Sequence, residues 1–140
     1  MQQRRLGTGP ATVSRIGLGT WRVQDRSRTS EALLAGIESG LTHIDTAELY
    51  ENQSRSETML GKLFAANRGL RERVFLASKV LPHNASNAGT LQACDATLKR
   101  LGTDQVDLYY LHWRGEHPLE DTFDAMAQLA EEGKVRHIGV

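Results

Sequence analysis

Short apolar runs alternate along the chain with longer segments whose apolar residues recur every three or four positions. Ile16-Gly17-Leu18-Gly19-Thr20 reads as a first strand. Leu33, Leu34 and Ile37 then form the stripe of a helix over 30–39, with Gly40 as its stop. Leu41-Thr42-His43-Ile44-Asp45 is a second strand. A second helix is expected to open at Ser54-Arg55-Ser56-Glu57, which has capping-box spacing, and to bury Leu60, Leu63 and Phe64. Val74-Phe75-Leu76-Ala77-Ser78-Lys79, the most continuously apolar run, is a third strand. A helix with Leu91, Cys94, Leu98 and Leu101 follows it and stops at Gly102. Val106 to His112 is a fourth strand. Pro118 suits the first turn of a fourth helix, which carries Phe123, Met126 and Leu129 and ends at Gly133; Val135 to Val140 begins a fifth strand.

Strands that start at 16, 41, 74, 106 and 135 are 25–33 residues apart, the spacing of βα units. The rhythm predicts an α/β protein with a parallel sheet and helices outside it, and leaves a barrel and a doubly wound sheet both open. Ahead of it, Leu6 to Val13 reads as two extended pieces about a Gly-Pro turn, a small hairpin suited to closing the end of a barrel opposite an active site. The chain runs out inside the fifth strand, whereas a (β/α)8 barrel takes about 250 residues and eight units.

Composition changes this picture mainly by exclusion. Seventeen basic and seventeen acidic residues cancel, which leaves no electrostatic footprint for nucleic acid. No apolar run approaches the roughly 20 residues that span a bilayer, and the basic start Met1 to Arg5 lacks the apolar stretch of a signal peptide. The lone Cys94 suits a reducing compartment. A soluble cytoplasmic protein is the expectation. No Cys/His cluster has metal spacing, and His43, His83 and His117 receive no role.

Three successive strands end in ionisable residues, Asp45, Lys79 and His112, and Tyr50 follows Asp45 by five positions. Taken singly, each is a turn residue, a solvated tip or a core histidine. Alternation puts Asp45 on one face with His43, Lys79 with Phe75 and Ala77, and His112 with Leu108 and Tyr110. If those faces all point into a barrel, acid, ammonium and imidazole meet at one rim, where the two charges must pair because a lone buried charge costs several kcal/mol. A phenol beside that pair is expected to have its pKa lowered by the ammonium and to serve as a general acid.

These segments resemble the aldo-keto reductase family. Asp45-Thr46-Ala47-Glu48-Leu49-Tyr50, with Ser56-Glu57 and Leu60-Gly61, is similar to the family's segment bearing the catalytic Asp and Tyr. Ala77-Ser78-Lys79-Val80 resembles the segment with the catalytic Lys, and Asp107 to Trp113 the one with the catalytic His. Gly17-Leu18-Gly19-Thr20-Trp21 and Gly133 to Val140 resemble the first-strand and fifth-strand motifs. A bacterial branch that includes methylglyoxal reductases looks nearest.

The resemblance implies the N-terminal half of a TIM barrel: about four βα units and the start of a fifth strand, with residues 1–140 a partial domain truncated at its C-terminus. It implies reduction of aldehydes or ketones by hydride transfer from NADPH, with Tyr50 as acid and Asp45, Lys79 and His112 assisting. Gly19, Thr20, Trp21 and Asp45 would lie at the cofactor, and Trp21 and Trp113 would wall the pocket of a small carbonyl substrate. The family's remaining cofactor contacts come after its fifth strand, so NADPH over NADH is implied and not read, and the fragment alone is expected to be inactive. A non-catalytic relative, acting as a binding subunit or persisting as a fold remnant, is the competing expectation, as is self-association through the open half-barrel.

Overall fold

The structure, a computed structural model, describes the backbone of residues 1–140 and every side chain except those at positions 53 and 54. A hairpin of β1 (Gln3–Arg5) and β2 (Thr12–Ser14) precedes β3 (Gly17–Gly19), α1 (Arg26–Glu38) and β4 (His43–Asp45). There follow α2 (Glu48–Ser54), α3 (Ser56–Ala66), β5 (Phe75–Val80), α4 (Asn87–Leu101), β6 (Val106–Leu111), α5 (Leu119–Glu131) and β7 (Val135–Gly139). Strands β3 to β7 form one parallel sheet in the order of the sequence. Each crossover passes through helix on one side of the sheet, the arrangement of half a (β/α)8 barrel.

The pleat divides the sheet into two different faces. Ile44, Leu76, Tyr109 and Leu111 point to the helices and are buried with Leu33, Ile37, Leu60, Leu98, Met126 and Leu129. His43, Phe75, Leu108 and His137 lie on the other face in neighbouring register and are only partly covered. The helical face closes tightly at Gly61 in α3, where an added Cβ would come within 2.3 Å of the Arg100 carbonyl oxygen of α4. Only a residue without a side chain lets these helices approach so closely.

The hairpin sits at the N-terminal end of the strands: the Ser14 hydroxyl oxygen accepts from the backbone N–H groups of Thr42 and His43, each at 3.1 Å, just where β4 begins. That is the end away from Asp45, Lys79 and His112. Helix ends follow the sequence at Gly102 and Gly133, both left-handed with φ of 62° and 74°.

Three local expectations change. The hairpin read within 6–13 pairs Gln3–Arg5 with Thr12–Ser14, so its first strand precedes that segment and residues 6–11 form the connection. Helix α1 begins four residues before position 30, because the Asp25 carboxylate accepts from the N–H groups of Ser27 and Arg28. The capping box read at Ser54 to Glu57 involves a Ser54 side chain that lies outside the described residues. Helix α3 starts after Arg55, which is left-handed (φ 53°), and the Glu51 carboxylate of α2 accepts from both the N–H and the hydroxyl of Thr58 in its first turn. Glu57 is turned the other way, buried against Ser78 and Arg100.

Candidate active site

At the C-terminal ends of β4, β5 and β6 the sheet brings together the residues expected there. Lys79 is buried, and its ammonium donates to Asp45 Oδ2 at 2.7 Å and to the Thr46 carbonyl oxygen at 2.8 Å. Parallel pairing makes this possible. Asp45 stands beside Ala77, one pleat before Lys79 on the same face, so the long lysine side chain reaches over the small alanine toward the carboxylate.

Tyr50 comes from α2, a short helix inserted after β4 where the sequence pattern indicates only a loop. Glu48 anchors this helix to the segment after β5: its carboxylate accepts from the N–H of Leu81 and from the Asn84 amide. The anchoring leaves Tyr50 nearly buried, with its ring 5.0 Å from the Lys79 ammonium and edge-on to His112 at 5.7 Å between centroids. His112 continues the β6 pairing through its N–H, which donates to the Val80 carbonyl oxygen. Asp45, Tyr50, Lys79 and His112 therefore share one rim.

Electrostatics differ in one respect from the expectation. The Tyr50 pKa is raised, first by burial and then by the Asp45 charge, where the sequence suggests lowering by a lysine. The reason is geometric: the ammonium is engaged by Asp45 and faces the ring of Tyr50. Burial lowers the Lys79 pKa against the opposing pull of Asp45. Burial and the nearby Lys79 charge hold His112 below its ordinary value and favour neutral imidazole.

The first-strand segment lies alongside. The N–H and hydroxyl of Thr20 both donate to the Asp45 carbonyl oxygen, and the Ser56 hydroxyl donates to the Thr20 carbonyl oxygen. Thr20 is fully buried, so its side chain supports the Asp45 backbone. Gly19 has open space where a Cβ would stand. Trp21 is 58% exposed with the Arg22 guanidinium 4.5 Å from its ring, and Trp113 is 51% exposed with its ring 4.6 Å from that of His112.

Sequence reasoning missed Glu48, and it missed Tyr110, whose hydroxyl donates to Asp45 Oδ1 at 2.6 Å. Alternation did place Tyr110 on the His112 face. Its reach across β5 to β4 is a tertiary distance with no trace in the chain order. Among the described residues no group of three or more His, Cys, Asp or Glu side chains is placed to hold a metal ion, and no helix is long and apolar enough to cross a membrane.

Residues 15–140 match the Aldo/keto reductase family. The chain is 45% identical to methylglyoxal reductase YeaE of Escherichia coli, over 100% of this chain and 50% of that protein. It is 36% identical to a glyoxal reductase of Bacillus subtilis, over 89% of this chain and 44% of that one. Among solved structures, the thermostable aldo-keto reductase Tm1743 in complex with epalrestat superposes with a TM-score of 0.91 at 39% identity, covering 100% of this chain and 53% of that one. An aldo-keto reductase from Klebsiella pneumoniae in complex with NADPH superposes with a TM-score of 0.84 at 48% identity, covering 93% and 46%. The chain spans about half the length of the curated relatives it matches.

Proposed function

The chain belongs to the aldo/keto reductase family, and from that premise we propose that it forms the N-terminal half of a barrel that reduces small aldehydes or ketones with NADPH. The observation that carries the proposal is the buried Lys79 ammonium, held 2.7 Å from Asp45 and 5.0 Å from the Tyr50 ring.

The residues present suit a nicotinamide cofactor. Gly19 leaves open space at the C-terminal end of β3 next to half-buried Asp45, its partner in register, and Trp21, two residues further on, is exposed. The chemistry a bound nicotinamide supplies is a hydride for the carbonyl carbon. Tyr50 provides the matching proton: its raised pKa keeps the phenol protonated at neutral pH, ready to give that proton to the carbonyl oxygen. Lys79 offsets the negative charge left on the phenolate, and Asp45 favours the charged ammonium against the lowering that burial imposes. Neutral His112 lies against Tyr50 and orients the same oxygen by hydrogen bonding. Hydride at carbon and proton at oxygen make the alcohol. The exposed rings of Trp21 and Trp113 are available to wall the pocket, and the likeness to the methylglyoxal reductase supports methylglyoxal as the first substrate to test.

The test places this chain in a complete barrel, fused to the C-terminal half of the Klebsiella pneumoniae relative, and follows NADPH consumption with methylglyoxal. Tyr50→Phe keeps the ring and removes the acid, so the chemical step slows by about 10²–10⁴ while NADPH affinity hardly changes. Lys79→Met behaves similarly, because it strands Asp45 and uncovers the phenolate charge. A Tyr50→Phe protein that turns over at the parent rate overturns the assignment.

A further inference from the structure

The Asp45–Lys79 pair is held from a third side. Tyr110 lies on β6 directly beside Lys79 in register, on the same face of the sheet, and its hydroxyl donates to Asp45 Oδ1 at 2.6 Å across the intervening strand. The other carboxylate oxygen, Oδ2, takes the Lys79 ammonium. That ammonium lies 5.3 Å from the Tyr110 ring and 5.0 Å from the Tyr50 ring, so two phenol rings flank one cation.

We infer that Tyr110 is a positioning residue for the proposed reduction, its hydroxyl and ring together holding the Asp45–Lys79 pair in the orientation that serves Tyr50. The inference rests on the reductase reading for its purpose and on these distances for its substance. Asp45 needs such a restraint. Its side chain keeps 32% of its surface exposed, against 7% for Lys79, so an unrestrained carboxylate has water to turn toward. Lys79 has no such option, and its remaining contact would be the Thr46 carbonyl oxygen. A phenol donor on Oδ1 leaves Oδ2 as the oxygen that faces the ammonium, and so fixes the rotation of the carboxylate about its last bond. Tyr110 cannot replace Tyr50 as the acid. Its hydrogen is committed to Asp45, and burial together with that bond raises its pKa far above the ordinary tyrosine value.

The experiment uses the fused complete barrel described above, labelled at the lysine Cε and tyrosine Cζ carbons, titrated by NMR as the parent and as Tyr110→Phe. That variant keeps the ring and removes only the donor, and two-dimensional backbone spectra that agree away from the rim establish that the fold is intact. The expected result is that Lys79 titrates lower in Tyr110→Phe than in the parent, because Asp45 turns to solvent and the ammonium loses its main support. If Tyr110 instead acts only on charge, its loss makes the carboxylate a stronger partner and Lys79 titrates higher; that result, or no change, overturns the inference. A second reading needs no variant: the parent Tyr110 Cζ resonance stays in its protonated position beyond pH 10, whereas ionisation in the ordinary tyrosine range means the bond to Asp45 is absent. Neither titration requires turnover. A parent barrel that fails to reduce carbonyls overturns the reductase reading and leaves the role of Tyr110 in holding the pair to be decided by the titrations.

Discussion

Each ionisable side chain at the rim acquires its behaviour from what lies within a few ångströms of it. Burial is the leading influence on Lys79, Tyr50, Tyr110, His43 and His112, and it favours the uncharged form of each. For the histidines this predicts a pH dependence of stability. Both have folded pKa values below the ordinary 6.5, so the unfolded chain binds more protons as pH falls through that value. Their contribution is favourable at pH 7 and above and is progressively lost as pH drops below about 6.5. Thermal melts between pH 7.5 and 5.5 should show Tm falling with pH, and His43→Asn should flatten that slope. An equally steep slope in the variant would assign the effect elsewhere. Cys94 illustrates the same influence without a function: burial pushes its thiol to about 12, which leaves it a small apolar packing residue.

At the scale of the elements, the site depends on how closely helices pack behind the sheet. The approach of α3 to α4 at Gly61 keeps Glu57 buried against Arg100 and Ser78, and Ser78 immediately precedes Lys79 on β5. Gly61→Ala puts a methyl carbon where the Arg100 carbonyl stands, and backbone cannot yield as a flexible side chain would. The expected cost is about 1–3 kcal/mol, an overpacking penalty, measured as a shift of the urea midpoint. A neutral Gly61→Ala would mean that the two helices separate without cost. Helix α2 shows how an element can escape pattern reading. Its apolar residues Leu49 and Tyr50 are adjacent and form no stripe at helical spacing; it is held in place by Glu48 on the segment after β5 and Glu51 on the start of α3.

At the scale of the whole molecule, the sheet has one finished face and one open one. Phe75, Leu108, Tyr110 and His137 are only partly covered, and β3 and β7 each have one edge with no strand beside it in this sheet. Ile138 and Val140 add exposed apolar surface at the β7 edge. An apolar sheet face with free edges seeks a partner. The isolated 140-residue polypeptide should therefore elute above its 15.5 kDa monomer mass, measured by light scattering after size exclusion. It should also fail to consume NADPH with methylglyoxal, since on the proposed reading this half of the barrel supplies only part of the cofactor site. An active monomer would show that half a barrel suffices for this chemistry.

The order of the five parallel strands and of the helices other than α2, the glycine stops at Gly102 and Gly133, and the placing of Asp45, Lys79 and His112 at strand ends were legible in the chain. Each depends on periodicity or on a residue's own backbone preference, and these are local properties. The family resemblance was legible too, because its motifs keep their order and spacing. Other features were decided only when the sheet assembled. Alternation indicates two faces and not which one the helices cover; packing decided that, placing Ile44 at 0% exposure beneath the helices. The direction of the Tyr50 shift, the anchoring role of Glu48 and the grip of Tyr110 on Asp45 likewise depend on distances between residues up to 65 positions apart. Sequence patterns carry information about neighbours along the chain, whereas a hydrogen bond or a buried charge depends on neighbours in space, and strand pairing is what converts the one into the other.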